Sequence, residues 1–129
     1  MVRGGGYQVA ALLTTVTDVY DRVSMHGIRR TLLEHQVSAL RLPLHVVSIP
    51  PQASNEIYQC RMEDAFRPYR GTGVTTVAFG DLFLSDIRRY REEWLTAIGM
   101  SAIFPLWERD TAALARRFVE LGFKAVICL

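Results

Sequence analysis

The sequence predicts a three-layer α/β fold, a mainly parallel sheet with helices on both faces. Three observations predict it. Short apolar runs alternate with stretches of helical spacing along the whole chain. The runs are apolar at consecutive positions, as in strands covered on both sides. Proline or glycine stands at most of the boundaries between them, at Pro43, Pro50, Gly73, Gly80, Pro105 and Gly122. With 129 residues and no internal repeat, low-complexity segment or linker, the chain reads as a single domain over 1–129.

Residues 8–16 carry Val9, Leu12, Leu13 and Val16 and read as the first strand, with Thr14, Thr15 and Thr17 at its carboxyl end. The loop 18–24 leads to a helix, with Ser24 as its expected N-cap. Leu33, Val37 and Leu40 repeat at helical spacing and form its inner stripe; Pro43 closes it. Residues 44–49 are the second strand, interrupted only by His45 and Ser48 and stopped by Pro50-Pro51. Ser54 or Asn55 caps the next helix, with Glu56 in its first turn and Tyr58, Met62, Ala65 and Tyr69 along one side. Gly71 and Gly73 end it, and 74–79 is the third strand. A charged helix follows, with Ile87, Trp94 and Ile98 inward and Gly99 at its C-terminus. Residues 101–104 form a short fourth strand before Pro105. Asp110 caps a helix with Leu114, Phe118 and Leu121 inward and Gly122 at its end, and 123–129 is the fifth strand.

Composition excludes several classes. The chain is 50% hydrophobic and 22% charged with a formal net charge of +2, which favours neither nucleic acid nor an anionic membrane as partner. No apolar run approaches the roughly 20 residues of a spanning helix, and the opening residues lack the apolar core of a secretory signal. Cys60 and Cys128 lie far apart and read as reduced, packed thiols of a cytoplasmic protein. His26, His35 and His45 have no spacing with thiols or carboxylates that makes a metal site. Gly4-Gly5-Gly6 precedes a strand instead of joining a strand to a helix, so it reads as a turn and not as a phosphate loop.

In a parallel sheet, ligands bind outside the carboxyl ends of the strands. Thr15, Met25 and His26 follow the first strand, Ser54, Asn55 and Glu56 the second, Gly80 and Asp81 the third, and Trp107, Glu108 and Arg109 the fourth. Parallel strands with crossover connections bring such loops to one edge. Beyond Asp81, Arg88 and Glu92, and Arg89 and Glu93, stand four apart, as neighbours on a helix surface.

An ordered set of short stretches carries a family resemblance: Ala11-Leu12-Leu13-Thr14-Thr15-Val16, Met25-His26-Gly27-Ile28-Arg29, Leu42-Pro43-Leu44 to Ile49-Pro50, Ser54-Asn55-Glu56, Phe79-Gly80-Asp81 to Arg91-Glu92, and Phe104-Pro105-Leu106-Trp107. Over essentially its whole length the chain resembles the diphthine–ammonia ligase family of PP-loop ATPases, and the stretch from Gly80 to Glu92 looks like the bacterial branch. The resemblance implies a Rossmann-like fold of the adenine nucleotide alpha-hydrolase kind. It also implies an ATP-dependent ligase that activates a carboxylate, small-molecule or protein, as an acyl-adenylate and forms an amide with ammonia. ATP with Mg is the implied cofactor. By resemblance Thr15, Met25, His26 and Gly80 bind the nucleotide. Asp81, Arg88 and Glu92 are implied in catalysis, and Asn55, Glu56 and Trp107 on the substrate.

The chain departs from the family in three places. The family's opening strand and its Ser-Gly-Gly-Lys-Asp-Ser loop are absent, as is the region the family carries beyond the position of Leu129. Arg41 stands where the family has a helix-ending glycine. The missing strand runs through the middle of the family's sheet, and each buried unsatisfied backbone group costs about 1–3 kcal/mol. Three outcomes are therefore expected: the sheet re-forms, a second chain supplies the pairing, or the sequence is a piece of a longer one. The alternative to a ligase is a non-catalytic domain, a homo-oligomer associating through exposed strand edges.

Overall fold

The computed structural model describes residues 6–127. It is an α/β structure whose contacts gather into two compact units, Met1–Val74 and Thr75–Leu129. No helix among the described residues is long and apolar enough to cross a membrane.

The first unit holds β1 (Leu12–Thr17), β2 (Arg22–Val23), α1 (Arg30–Leu40), β3 (Leu44–Ile49) and α2 (Asn55–Gly71). Its sheet has the order β2-β1-β3. β1 and β3 run parallel from Leu12↔Leu44 to Thr17↔Ile49, and β2 turns back antiparallel on β1 at Val16↔Val23. Alternation along a strand sends adjacent residues to opposite faces. On one face Leu12 and Leu44 pack with Val23 and with Leu33 and Val37 of α1. On the other, His45 Nδ1 lies 3.2 Å from the Tyr69 hydroxyl of α2. The helices therefore cover this sheet from both sides. Met62, Ala65 and Phe66 of α2 and Val47 and Ile49 of β3 are buried.

The second unit holds β4 (Thr76–Ala78), α3 (Ser85–Ala97), β5 (Ser101–Ile103) and α4 (Thr111–Glu120). β4 and β5 are a parallel pair in register from Thr76↔Ser101 to Ala78↔Ile103. Trp94, Leu95 and Met100 are its buried hydrophobic residues.

The starts of α2 and α4 follow side-chain chemistry. Ser54 Oγ accepts from Ile57 N at 3.3 Å and Asp110 Oδ1 from Ala113 N at 2.6 Å, each satisfying one of the donors a helix leaves open. Three of the helix ends, those of α2, α3 and α4, follow glycine. At α3, Gly99 takes φ 76° while Met100 N reaches Leu95 O and Gly99 N reaches Thr96 O, the paired bonds of a Schellman end. α2 and α4 close in the same way at Gly73 and Gly122.

Several expectations are corrected. The first strand begins at Leu12, not at residue 8. Ser24 caps nothing: its hydroxyl lies 3.0 Å from Thr17 Oγ1, because the chain folds back as β2, and α1 starts after Arg29 with no side-chain cap. Leu40, Ile87, Phe118 and Leu121, expected inward, are exposed, and α4 buries no residue. Residues 123–127 form no strand, although the run is apolar; Cys128 and Leu129 lie outside the described residues, as do Gly4 and Gly5 of the glycine run. Cys60 is exposed, not packed.

Candidate functional site

β4 and β5 end side by side, and the Phe79 N–H continues their ladder to Ile103 O at 3.0 Å. The chain leaving β4 passes Gly80 and Asp81 to reach α3, and the chain leaving β5 passes Phe104 to Trp107. Glu108 N donates to Leu82 O at 2.8 Å and ties the two loops together. Topology thus fixes what meets here, since both loops leave the carboxyl ends of neighbouring parallel strands.

Onto this edge α3 presents two cations one turn apart. Arg88 lies with its guanidinium carbon 4.8 Å from the Phe104 ring centre and 4.7 Å from that of Trp107, and its Nε is 2.9 Å from Glu92 Oε1. Arg91 lies 4.2 Å over the Phe79 ring, with Nε 3.1 Å from Asp81 Oδ2. Phe79 and Phe104 stack at 5.6 Å, and Phe104 meets Trp107 edge-on at 6.0 Å. The aromatic rings therefore form a platform carrying two guanidinium groups, and each guanidinium is beside a carboxylate. A cation over an aromatic face contributes about 0.5–1 kcal/mol at exposed sites and roughly 2 when desolvated. The Arg88–Glu92 pair, with side chains 35% and 44% exposed, adds only a few tenths.

Asp81 and Arg91 are the better-covered pair, with side chains 17% and 27% exposed. Their facing atoms are within ion-pair distance but lack the alignment of a hydrogen bond, and neither Asp81 Oδ2 nor Arg91 Nε, both buried, has a hydrogen-bond partner among the described residues. Asp81 Oδ2 is itself covered and faces Arg91, so what this oxygen meets is the arginine cation. Beside it Gly80 is exposed, and a Cβ there would meet no atom within 4 Å, so the approach to the backbone at the strand's end is open.

Of the residues singled out from the sequence, Gly80, Asp81, Arg88, Glu92 and Trp107 share this place. Arg89 does not pair with Glu93; it reaches Asp86 at 3.5 Å. Sequence reasoning missed Phe79, Phe104 and Arg91. The signal for them is the position of one phenylalanine directly after each strand, with Arg88 and Arg91 three apart on the facing helix.

The remaining candidates lie in the first unit. Thr15 is inside β1, two residues before its end, and its carbonyl accepts from Ser24 N at 2.9 Å. Met25, with φ 69°, is wholly exposed and stands with exposed His26 in the turn after β2. Asn55 and Glu56 are exposed in the first turn of α2. Among the described residues no group of three or more His, Cys, Asp and Glu gathers as a metal site.

Comparison of the chain with models of protein families, with curated proteins and with solved structures found no match in any of the three.

Proposed function

We propose that the chain is part of an ATP-dependent amide ligase like the diphthine–ammonia ligases, built on a Rossmann-like three-layer domain. One observation carries this reading. Five residues picked out through the resemblance, from the loops after β4 and β5 and from α3, meet at the carboxyl ends of β4 and β5 around the Asp81–Arg91 ion pair. In such a reaction the substrate carboxylate attacks the α-phosphorus of ATP and pyrophosphate leaves. Ammonia then attacks the acyl carbon of the mixed anhydride, loses a proton, and AMP leaves with the electron pair of the broken C–O bond. Asp81, whose Oδ2 faces Arg91, accepts a proton from the attacking amine or orients it through its other carboxylate oxygen. Arg88 and Arg91 stabilise the anionic substrate and the leaving phosphate. Glu92 holds Arg88 in place, and Trp107 walls the site.

The fit to ATP is partial. The carboxylate and cation chemistry is present in the second unit. In the first unit the chain leaving β1 turns back as β2, and Pro50-Pro51 follows β3, so neither connection has the glycine-rich phosphate cradle that joins a strand to a helix. The test is calorimetric titration with ATP and magnesium, followed by an assay of AMP release with ammonium and a panel of carboxylic acids. Binding and AMP release in the wild type, with release lost in Asp81→Ala, support the ligase reading. Absence of heat above dilution overturns it for this chain.

A second reading is favoured by the sheets. Among the described strands β4 and β5 pair only with each other and β3 only with β1, which leaves ladder edges for another chain. A non-catalytic domain that self-associates in this way shows a mass rising with concentration in light scattering; a monomer at every concentration rules it out.

A further inference from the structure

We propose that the first unit carries an anion site, a cleft between Arg22, Arg29 and Arg30 that binds a phosphate group. Tyr20, Asp21, Arg22, Arg29, Arg30 and Thr31 line one open cleft where the turn after β1 meets the start of α1. Three arginines and one carboxylate, Asp21, line it, and a second carboxylate, Glu34, pairs with Arg30 beside it.

Arg22 and Arg29 are opposite each other in an antiparallel bridge, which places the two side chains on the same side of the ladder. Like charges in that position repel, and both residues are exposed. Two of the three cations are already held in position. Arg22 Nη1 donates to Gly27 O at 2.6 Å, and Arg30 is 3.1 Å from Glu34 and 3.8 Å from Asp21. The Arg29 guanidinium has no hydrogen-bond or ion-pair partner among the described residues. The first turn of α1 adds no acid to offset the charge.

The donor set selects the ligand class. Three forked guanidinium groups and the Thr31 hydroxyl offer more donors than Asp21 and Glu34 take up, whereas a phosphate group presents at least three strong acceptor oxygens and up to two negative charges. An anion seated between Arg22 and Arg29 removes their repulsion. The site is independent of the ligase reading, because it lies in the first unit and its simplest probe is inorganic phosphate.

The experiment titrates the full chain with inorganic phosphate, and separately with ATP, at fixed ionic strength, and follows the arginine side-chain Nε–H resonances. Phosphate is expected to shift Arg22, Arg29 and Arg30 saturably. Arg29→Gln, which removes a side chain with no structural partner, is expected to weaken that affinity about tenfold, as loss of a charge-assisted pair does. Arg67→Gln on α2, whose partner is Asp64, is expected to leave it unchanged. A response to both ligands identifies the phosphate group itself as the determinant, and a response to ATP alone identifies a nucleotide-borne phosphate. No saturable shift with either ligand, or equal weakening by Arg67→Gln, overturns the site.

Discussion

Arg41 ends α1 with φ 55° and ψ 41°, the left-handed conformation, while its N–H bonds Ser38 O at 3.1 Å. A side chain there costs about 1–2 kcal/mol in contact between Cβ and the following carbonyl. Glycine removes that cost but loses roughly 0.5–1 kcal/mol of backbone entropy. Arg41 is exposed and its side chain has no hydrogen bond or ion pair to lose among the described residues. Arg41→Gly is therefore expected to stabilise the first unit by about 0.5 kcal/mol, the difference between those two effects. Urea unfolding followed by far-UV circular dichroism checks it, and a lower midpoint in the variant contradicts the strain. The position was legible in advance, because the resemblance puts a glycine there. Asp81 was legible for another reason: a polar residue directly after a strand and a glycine stands where parallel sheets bind ligands. Its partner Arg91 was not. The sequence offers Arg88, Arg89 and Arg91 on one helix, and only the aromatic rings after β4 and β5 decide which cation lies over which face.

Among the elements, α2 and α4 share the same local grammar and differ in what they bury. Each begins with a side chain accepting a first-turn N–H, and each ends at a left-handed glycine. α2 also carries the buried Met62, Ala65 and Phe66, whereas α4 buries nothing and closes on its own Phe118–Phe123 ring stack at 4.7 Å. Losing a cap costs about 1 kcal/mol in either helix, but where the loss appears differs. Ser54→Ala is expected to lower the unfolding free energy of the first unit by about that amount. Asp110→Ala is expected to reduce helix signal and protection from hydrogen exchange in α4 alone, with the tryptophan-monitored transition in place. A shifted tryptophan midpoint in Asp110→Ala contradicts the view that α4 is held by local bonds. Helix existence was thus readable from Ser54, Asp110 and the glycines. Inward faces were not, since an amphipathic stripe such as Leu114, Phe118 and Leu121 specifies a face without specifying what covers it. Ser24 failed as a cap for a related reason: Arg22 and Val23 form a short strand, which delays the helix to Arg30.

For the molecule as a whole, the apolar runs identified four of the strands, but strand partners are set by long-range pairing that composition does not encode. The run 123–129 shows the limit. It is as apolar as the others, yet residues 123–127 form no strand, and Val126 and Ile127 are 87% and 90% exposed. Burial is also uneven along the chain. Among the described residues, the first unit buries Val16, Val23, Leu33, Val37, Val47, Ile49, Met62, Ala65 and Phe66, and the second only Trp94, Leu95 and Met100. Each fully buried aliphatic or aromatic side chain contributes about 1.5–3 kcal/mol before entropy is subtracted. The second unit is therefore expected to open at lower free energy, as regions with few buried apolar contacts do. Both tryptophans, Trp94 and Trp107, belong to it, so their fluorescence reports that unit alone. Far-UV circular dichroism is weighted by α1 and α2 as well. The tryptophan transition in urea is expected at lower denaturant than the main dichroism transition. Coincident transitions by the two probes, the signature of a single all-or-none step, contradict a weaker second unit and show that the residues around Asp81 unfold only with the rest of the chain.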